Sequence, residues 1–283
     1  MLGRAAMATL EETRPSGEGR ARGLVSGRQS GSRIDARTFA PPDDLAPLVE
    51  SFWVGRWELP DDAPHTTRLL GDPCLHVILE VGARDELAER LVGVWTRRWE
   101  NTLAGRGTVR AAKLKAGAGG ALLDDASRVR NRRVPLRELF DGAPSAAGLP
   151  LEAEGDDEAF ERLAAFLRRR LRPTPDTEDA LVACDLLRRE DGLLRVDQLA
   201  TAMDRSERAL QRLFKAQVGA PPKFVIRRHR LQEAAVRLER GDALSLADLA
   251  LDLGYADQAH FARDWKTAVG QPASRFARAV HEE

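Results

Sequence analysis

The C-terminal part of the chain contains one unit of sequence twice, and this repeat limits the fold more than any other feature. Four residues near the start of the unit recur 50 positions later: Val196, Leu199, Ala200 and Met203 correspond to Leu246, Leu249, Ala250 and Leu253. Six residues near its end recur 51 positions later: Ser206, Leu210, Phe214, Val218, Gly219 and Pro221 correspond to Asp257, Phe261, Trp265, Val269, Gly270 and Pro272. The chain therefore carries two copies of one structural element, with a one-residue insertion in the turn of the second.

The pattern within each copy predicts a short helix, a tight turn and a longer helix. The first helix has apolar residues at i, i+3, i+4 and i+7, which give it one buried face. Asp204 and Gly254 stand where the chain must reverse, and both tolerate turn conformations. Ser206 and Asp257 are suitable N-caps for the second helix. Two helices packed across a tight turn form a helix-turn-helix.

The opposite face of each second helix is polar and almost free of carboxylates. It carries Arg208, Gln211, Arg212 and Lys215 in the first copy, and Gln258, Ala259, Ala262, Arg263 and Lys266 in the second. Arginine reads guanine, glutamine reads adenine, and small side chains let a helix approach the floor of the major groove. One such face alone fits an ordinary solvated helix as well as a DNA-reading one. Equivalent faces in both copies favour DNA reading.

A single helix is predicted between the copies, from Lys223 to Arg240. Its length of about 27 Å suits two recognition helices that enter successive major grooves about 34 Å apart. Three arginines lie early on this helix: Arg227, Arg228 and Arg230. We expect them either to reach phosphates or to stay in solvent.

The net charge is informative about DNA binding only when it is counted separately for the N-terminal and C-terminal parts of the chain. The whole chain has a net charge of zero, which disfavours a nucleic-acid partner. Residues 38–184 carry −5, however, and residues 185–283 carry +2. This modest excess predicts limited non-specific affinity, so binding should depend on base contacts and on the placement of two sites.

The N-terminal part has a different sequence pattern, with short apolar runs separated by proline and glycine. These runs predict strands, and they are Phe52–Val54, Leu75–Val81, Leu91–Trp95 and Val109–Leu114. A helix is predicted farther on, with Phe160, Leu163 and Leu167 on one stripe. Residues 1–37 are rich in Gly, Ser and Arg and are predicted to be a disordered leader, unless the start codon is mis-chosen.

The C-terminal repeat closely resembles the DNA-binding domain of AraC/XylS-type transcriptional regulators. The matching stretches are SERALQRLFK (206–215), GAPPK (219–223) and SLADLALDLGYADQAHFARDW (245–265). Trp265 departs from the family, which more often has Phe there. The resemblance implies base reading by Arg208, Gln211, Arg212, Gln258, Ala259, Ala262 and Arg263. Phosphate contact or helix capping is expected for Ser206, Lys215, Asp257 and Lys266.

Residues 38–150 open with Trp53 and Trp57 and continue to the run DPCLHV (72–77). On these pieces they resemble, less closely, the sensory half of some AraC-type regulators. Such halves are usually small cupin-type β-barrels that bind an effector or mediate dimerisation. The resemblance implies an effector pocket that includes Trp53, Trp57, His65 and His76.

Two enzymatic alternatives fit parts of this N-terminal region. His65, His76 and Glu80 could form a metal-binding cupin set, but the His-x-His pair is absent, and on a strand His76 and Glu80 share a face for geometric reasons alone. Cys74 could be a sensor or alkyl-acceptor thiol. It lies in an apolar run with no basic neighbour in sequence, which favours a small buried residue. We expect no metal, no cofactor and no enzymatic activity, and the alternative is a DNA-targeted enzyme of either kind.

The predicted fold class is α+β, with a β-rich cupin-like N-terminal domain followed by an all-α domain with two helix-turn-helix units and a linker helix. The predicted bounds are 38–172 for the sensory or dimerisation domain, with its closing helices, and 177–283 for the DNA-binding domain. We expect a cytoplasmic transcriptional regulator that reads successive major grooves at a promoter. Its expected partners are double-stranded DNA, RNA polymerase, a small-molecule effector and a second copy of the chain. No association with a membrane is expected.

Overall fold

The computed structural model describes residues 33–60, 64–82, 87–189, 193–241 and 245–281. Within these ranges a β-rich domain is followed by a region of helices, so the predicted α+β fold class is confirmed. Among the described helices, none has the length and apolar character that crossing a bilayer requires.

The described strands form two antiparallel sheets. They are β1 (Arg33–Phe39), β2 (Val49–Glu58), β3 (His65–Leu69), β4 (His76–Val81), β5 (Glu89–Val92), β6 (Trp99–Leu103), β7 (Arg106–Leu114) and β8 (Arg133–Pro135). Six of them pair in the order β1-β2-β7-β4-β5-β8, and β3 pairs with β6 in a separate ribbon. The four predicted strand segments all overlap strands of the larger sheet.

The helices follow in chain order. They are α1 (Gly119–Leu122), α2 (Leu136–Leu139), α3 (Asp156–Arg170), α4 (Pro175–Arg189), α5 (Val196–Ala202), α6 (Glu207–Gln217), α7 (Pro222–Arg240), α8 (Leu246–Asp252), α9 (Gln258–Val269) and α10 (Ala273–His281). A 3₁₀ turn also spans Ala126–Val129. Helix α7 corresponds to the predicted linker helix, and the break at 172–175 separates α3 from α4. The domain bounds 38–172 and 177–283 stay a prediction.

The first strand corrects the prediction for the N-terminal segment, because β1 begins at Arg33, inside the predicted leader. It pairs with β2 along its whole length, from Arg33 opposite Glu58 to Phe39 opposite Phe52. The strand is mostly polar and lies at the sheet edge, so its backbone pairing leaves no apolar pattern in the sequence. The rest of the predicted leader, residues 1–32, lies outside the described residues.

The six-stranded sheet has two different faces. One face is the main core of the domain, where Phe52, Val54 and Leu79 join Phe160 and Leu163 of α3. The other face, here called the Trp53 face, carries Trp53, His76, Ile78, Val92, Val109 and Ala111. Because strand side chains alternate, the same strands supply the main apolar core on one side and Trp53, His76 and a smaller apolar cluster on the other.

A buried ion pair joins the core face to the start of α3. The Arg110 side chain is 0% exposed, and its Nε donates to Asp156 Oδ1 over 2.6 Å. Arg56 Nη2 donates to the same carboxylate over 2.5 Å. Arg110 also donates to the Glu152 carbonyl oxygen over 2.6 Å. The first turn of α3 is therefore tied to two neighbouring strands, β2 and β7.

The N-terminal domain packs against both halves of the helical region. Ala220, just after α6, is buried in the main core of the N-terminal domain. Leu70, just after β3, is buried in the core formed by α7, α8, α9 and α10. The Asp72 carboxylate accepts hydrogen bonds from Lys113 of β7 and from Gln232 of α7. Each repeat unit therefore touches the β-rich domain.

Candidate nucleic-acid interface

The two repeat units fold as matching helix-turn-helix pairs, α5 with α6 and α8 with α9. The turns place Asp204 at φ 48° and Gly254 at φ 71°, both in the left-handed region. A Cβ added at Gly254 would lie 2.6 Å from Leu194 Cδ1. Glycine therefore suits the second turn, while the first uses aspartate, which tolerates this conformation better than most residues.

The longer helix of each unit is capped by the side chain that precedes it. The Ser206 hydroxyl accepts a hydrogen bond from the Ala209 N–H over 3.2 Å at the start of α6. The Asp257 carboxylate accepts from the His260 N–H over 2.6 Å at the start of α9. These side chains fix where each helix begins, and hence which residues lie on its outer face.

The inner face of each longer helix is a packed core. Leu210 and Phe214 of α6 are buried against α4, α5 and α7. Phe261 and Trp265 of α9 are buried with Tyr255 and Phe276 in a second core. Trp265 thus fills a core position, equivalent to that of Phe214 in the first unit.

The outer faces of α6 and α9 are open to solvent. Every predicted base-reading side chain is exposed: Arg208, Gln211, Arg212, Gln258, Ala259, Ala262 and Arg263. The predicted phosphate-contacting residues Lys215 and Lys266 are exposed too, toward the C-terminal end of each helix. The structure thus presents two similar polar helix faces, one from each unit, and their contact with DNA stays a prediction.

The arginines of the linker helix correct another expectation. Arg228 is only 4% exposed and lies 5.0 Å over the Phe224 ring, and burial lowers its pKa to about 10. Arg230 donates to the Leu194 carbonyl oxygen and stacks over Tyr255 at 5.6 Å. The expectation that these arginines either contact phosphates or stay in solvent is therefore wrong for Arg228, which neighbouring elements bury, and for Arg230, which is half-buried and bound to the Leu194 carbonyl oxygen.

The third of these arginines belongs to a polar group that the sequence reading missed. Arg227 forms an ion pair with Asp264, which is buried within α9. Tyr255 Oη donates to the same carboxylate over 2.9 Å. At the equivalent position of the first copy stands Leu213, so a charged residue in an apolar position of the repeat was the available signal. This group holds the second reading helix against the linker helix.

The predicted effector residues are only partly brought together. Trp53 Nε1 donates to His76 Nδ1 over 3.3 Å, with the rings nearly perpendicular and their centroids 6.1 Å apart. Trp57 lies on the same side of β2, where its Nε1 donates to the Ala104 carbonyl oxygen. His65 is buried on β3, in the separate ribbon. Trp53 and His76 thus form a contacting pair on the Trp53 face, with Trp57 farther along the strand.

His76 stands beside a charged group that reaches the helical region. The pKa of His76 is lowered to about 4, mainly by burial and further by the positive charge of Lys113. The negative charge of Asp72 raises this pKa but does not offset the other two effects. Burial alone would raise the pKa of Asp72. The charge of Lys113 and hydrogen bonds from Lys113 and Gln232 hold it below its ordinary value instead. Since Gln232 lies on α7, Asp72 and Lys113 connect the Trp53 face to the linker helix.

The two enzymatic alternatives find little geometric support. Glu80 shares the face of His76, as expected, but forms an ion pair with Arg90. No group of three or more potential metal-ligating side chains occurs in the part of the chain that the structure describes. Burial raises the pKa of the Cys74 thiol well above its ordinary value, although Lys113 acts in the opposite direction. Lys113 lies near Cys74 in the fold, although no basic residue neighbours Cys74 in sequence, but burial outweighs its effect, and such a thiol is a poor nucleophile.

Comparisons with known proteins match both halves of the chain. A family described as "Helix-turn-helix domain" matches residues 199–279, and a "Domain of unknown function (DUF6597)" matches residues 37–135. The "Probable transcription factor PqrA" of Proteus vulgaris is 34% identical over 90 residues, which are 32% of this chain and 72% of that protein.

Solved structures of related type show a weaker likeness. The C-terminal domain of AraT, a response regulator from Geobacillus stearothermophilus, is 22% identical with a TM-score of 0.33, over 38% of this chain and 88% of that one. ToxT from Vibrio cholerae O395 is 9% identical with a TM-score of 0.39, over 89% of this chain and 99% of that one. With TM-scores below 0.5, these structures do not define the fold of this chain.

Two helix-turn-helix units with exposed polar faces define a class of DNA-binding proteins. Within that class, the chain belongs to the AraC/XylS-type transcriptional regulators. It is a DNA-binding regulator of transcription.

Proposed function

We propose that α6 and α9 enter successive major grooves of a promoter and read its sequence. The observation that carries this proposal is the matched exposure of the predicted reading residues on two helices that are capped and packed alike. Arg208, Gln211 and Arg212 would supply base contacts from the first unit. Gln258 and Arg263 would supply them from the second, with Ala259 and Ala262 allowing close approach.

The spacing of the two units supports binding to one face of a duplex. Helix α7 has 19 residues, so it spans about 28 Å, and neighbouring turns of the major groove lie about 34 Å apart. Arg228 and Arg230 anchor α7 to its surroundings rather than to phosphates. The linker helix would therefore serve as a rigid spacer, with Arg228 and Arg230 interacting within the protein.

Replacement of Arg212 by alanine tests base reading. We expect duplexes selected by the wild-type protein from random sequences to bind more weakly, by about 1–3 kcal/mol, with relaxed preference at one position. The measurement is a binding titration on selected and random duplexes, followed by a new selection with the variant. Arg275→Ala, which removes an exposed arginine of α10, should leave affinity and preference unchanged.

The comparison of the two duplexes decides the role of Arg212. An equal loss on selected and random DNA would make Arg212 a phosphate contact and remove it from the reading face. If the wild-type protein selected no common sequence, the proposal of specific reading by α6 and α9 would fail as a whole.

We further propose that the Trp53 face binds a small-molecule effector. Trp53 and Val109 supply a half-buried apolar surface over the buried Ile78 and Ala111, and the Trp53–His76 pair adds polar atoms that can fix the orientation of a ligand. Next to this pair, Lys113 and Asp72 lead to Gln232 on α7. A ligand on this face would thus act on the helix that spaces the two reading units.

A panel of small molecules tests this proposal with the full-length chain. An effector at 100 times its Kd should stabilise the protein by about 2.7 kcal/mol, seen as a raised melting temperature, and should change affinity for selected DNA. The Trp53→Leu variant should lose this stabilisation, whereas Trp265→Phe, altered in the core of the second unit, should keep it. Stabilisation that survives in Trp53→Leu would place the ligand elsewhere, and a panel without any stabilising compound would favour a purely dimerising role.

The regulator would act in the cytoplasm, with RNA polymerase and a second copy of the chain as further partners. Support for these partners comes from the family to which the chain belongs.

A further inference from the structure

The acidic N-terminal domain carries a local patch of exposed arginines. Two lie on the loop between β5 and β6, and three lie in and after the 3₁₀ turn Ala126–Val129: Arg97, Arg98, Arg128, Arg130 and Arg132. Among the described residues, Arg98 pairs with Glu100 at 3.2 Å, while no ion pair involves Arg97, Arg130 or Arg132. This "arginine patch" is a local concentration of positive charge within residues 38–184, whose net charge is −5.

The two loops that form the patch are tied to each other. The Asn131 N–H donates to the Val94 carbonyl oxygen over 3.0 Å, and the Gly93 N–H donates to the Arg132 carbonyl oxygen over 3.1 Å. The Asn131 side chain accepts from the Thr96 N–H over 2.7 Å, with Asn131 itself at φ 56°. The arginines therefore project from a braced surface, which lowers the entropy lost when they bind a partner.

The patch lies against the ends of both reading helices. Gly219 and Gly270 occupy equivalent positions of the repeat, just beyond α6 and α9, with φ 90° and 84°. A Cβ added at Gly219 would lie 2.9 Å from the Ala126 carbonyl oxygen, at the start of the 3₁₀ turn. A Cβ added at Gly270 would lie 3.1 Å from Arg98 Cδ. The N-terminal domain thus touches the same point of each unit and bridges the space between them.

The identity of the partner follows from this position. The last turns of α6 and α9 carry Lys215 and Lys266, both exposed on the predicted DNA-binding faces. A duplex held by both reading helices presents its phosphate backbone between the two major grooves, next to those lysines. Guanidinium groups bind phosphate through paired hydrogen bonds and remain charged at any physiological pH.

We propose that the arginine patch is a third DNA-contacting surface, which binds backbone phosphates between the two grooves read by α6 and α9. This inference rests on the proposed function of the two helices. It assigns to the β-rich domain a direct role in DNA affinity, without sequence preference of its own. The weak positive charge of the helical region is then supplemented by phosphate contacts from the acidic domain.

The salt dependence of DNA binding tests the proposal. The double variant Arg97→Gln/Arg130→Gln should reduce the slope of log affinity against log salt concentration by about 2, since each phosphate contact contributes about 0.9. Affinity should fall to the same degree on selected and random duplexes, with the selected sequence unchanged. A hydroxyl-radical footprint should lose backbone protection between the two half-sites.

A charge-matched control separates contact from bulk charge. Arg137→Gln/Arg169→Gln removes two exposed arginines of the same domain outside the patch, and it should keep the wild-type slope. An unchanged slope in the patch variant, or an equal decrease in the control, would overturn the third contact and leave reading by α6 and α9 intact. Failure of the wild-type protein to bind selected DNA would instead contradict the proposed function itself.

Discussion

Replacement of Asp156 by alanine is expected to lower the free energy of unfolding by about 3–5 kcal/mol. The carboxylate accepts hydrogen bonds from Arg110 and Arg56 at the start of α3. The Arg110 side chain is 0% exposed, so the substitution leaves a guanidinium in the core without its counter-ion. Urea denaturation followed by tryptophan fluorescence measures the loss, because four of the five tryptophans precede residue 100.

Asp157 is a matched control for this effect. It is the next residue in the first turn of α3 and is exposed, so Asp157→Ala removes the same favourable interaction with the helix dipole, about 0.3–1 kcal/mol. The difference between the two variants isolates the pairing with Arg110 and Arg56. A loss in Asp156→Ala no larger than that in Asp157→Ala would show that the buried ion pair contributes nothing to stability.

The helix-turn-helix units were predictable because their determinants are local. The apolar spacing of Leu210 and Phe214, the caps Ser206 and Asp257, and the following glycine all lie within one turn or one helix. Such features leave a periodic pattern that a repeat makes easy to detect. The outer faces of α6 and α9 then followed by elimination, since a helix buries one stripe and exposes the other.

The contacts that the sequence did not predict join residues far apart along the chain. Gln232 and Asp72 are 160 positions apart, and Lys113 and Asp72 are 41 apart. Arginine is usually a surface residue. Only the packing around α7 shows that Arg228 and Arg230 interact with groups inside the protein. The arginine patch likewise depends on two loops that the fold brings together at Thr96 and Asn131.

The second large effect is expected from pH and centres on His76. Its pKa is lowered to about 4 in the folded chain from the ordinary value of 6.5, so the unfolded chain binds a proton that the folded chain excludes. The contribution of His76 to the free energy of unfolding is therefore at its maximum above pH 6.5. The free energy of unfolding falls by about 3 kcal/mol as the pH drops from 6.5 to 4. Denaturation at intervals from pH 7.5 to 4.5 measures this slope, above the range in which Asp72 titrates.

The His76→Asn variant should flatten this dependence, because asparagine keeps an acceptor for Trp53 Nε1 but does not titrate. His260→Asn removes an exposed histidine and should retain the wild-type slope. A slope that persists in His76→Asn would assign the pH dependence to other groups. If the Trp53 face is the effector site, a ligand that contacts neutral His76 should bind more weakly only as the pH approaches the folded-state pKa of about 4. Protonation of the folded chain would then remove the lone pair of Nδ1 that accepts from Trp53 and place a second positive charge beside Lys113. Ligand affinity should therefore decline at a lower pH than folding stability, which already falls below pH 6.5 because the unfolded chain binds the proton.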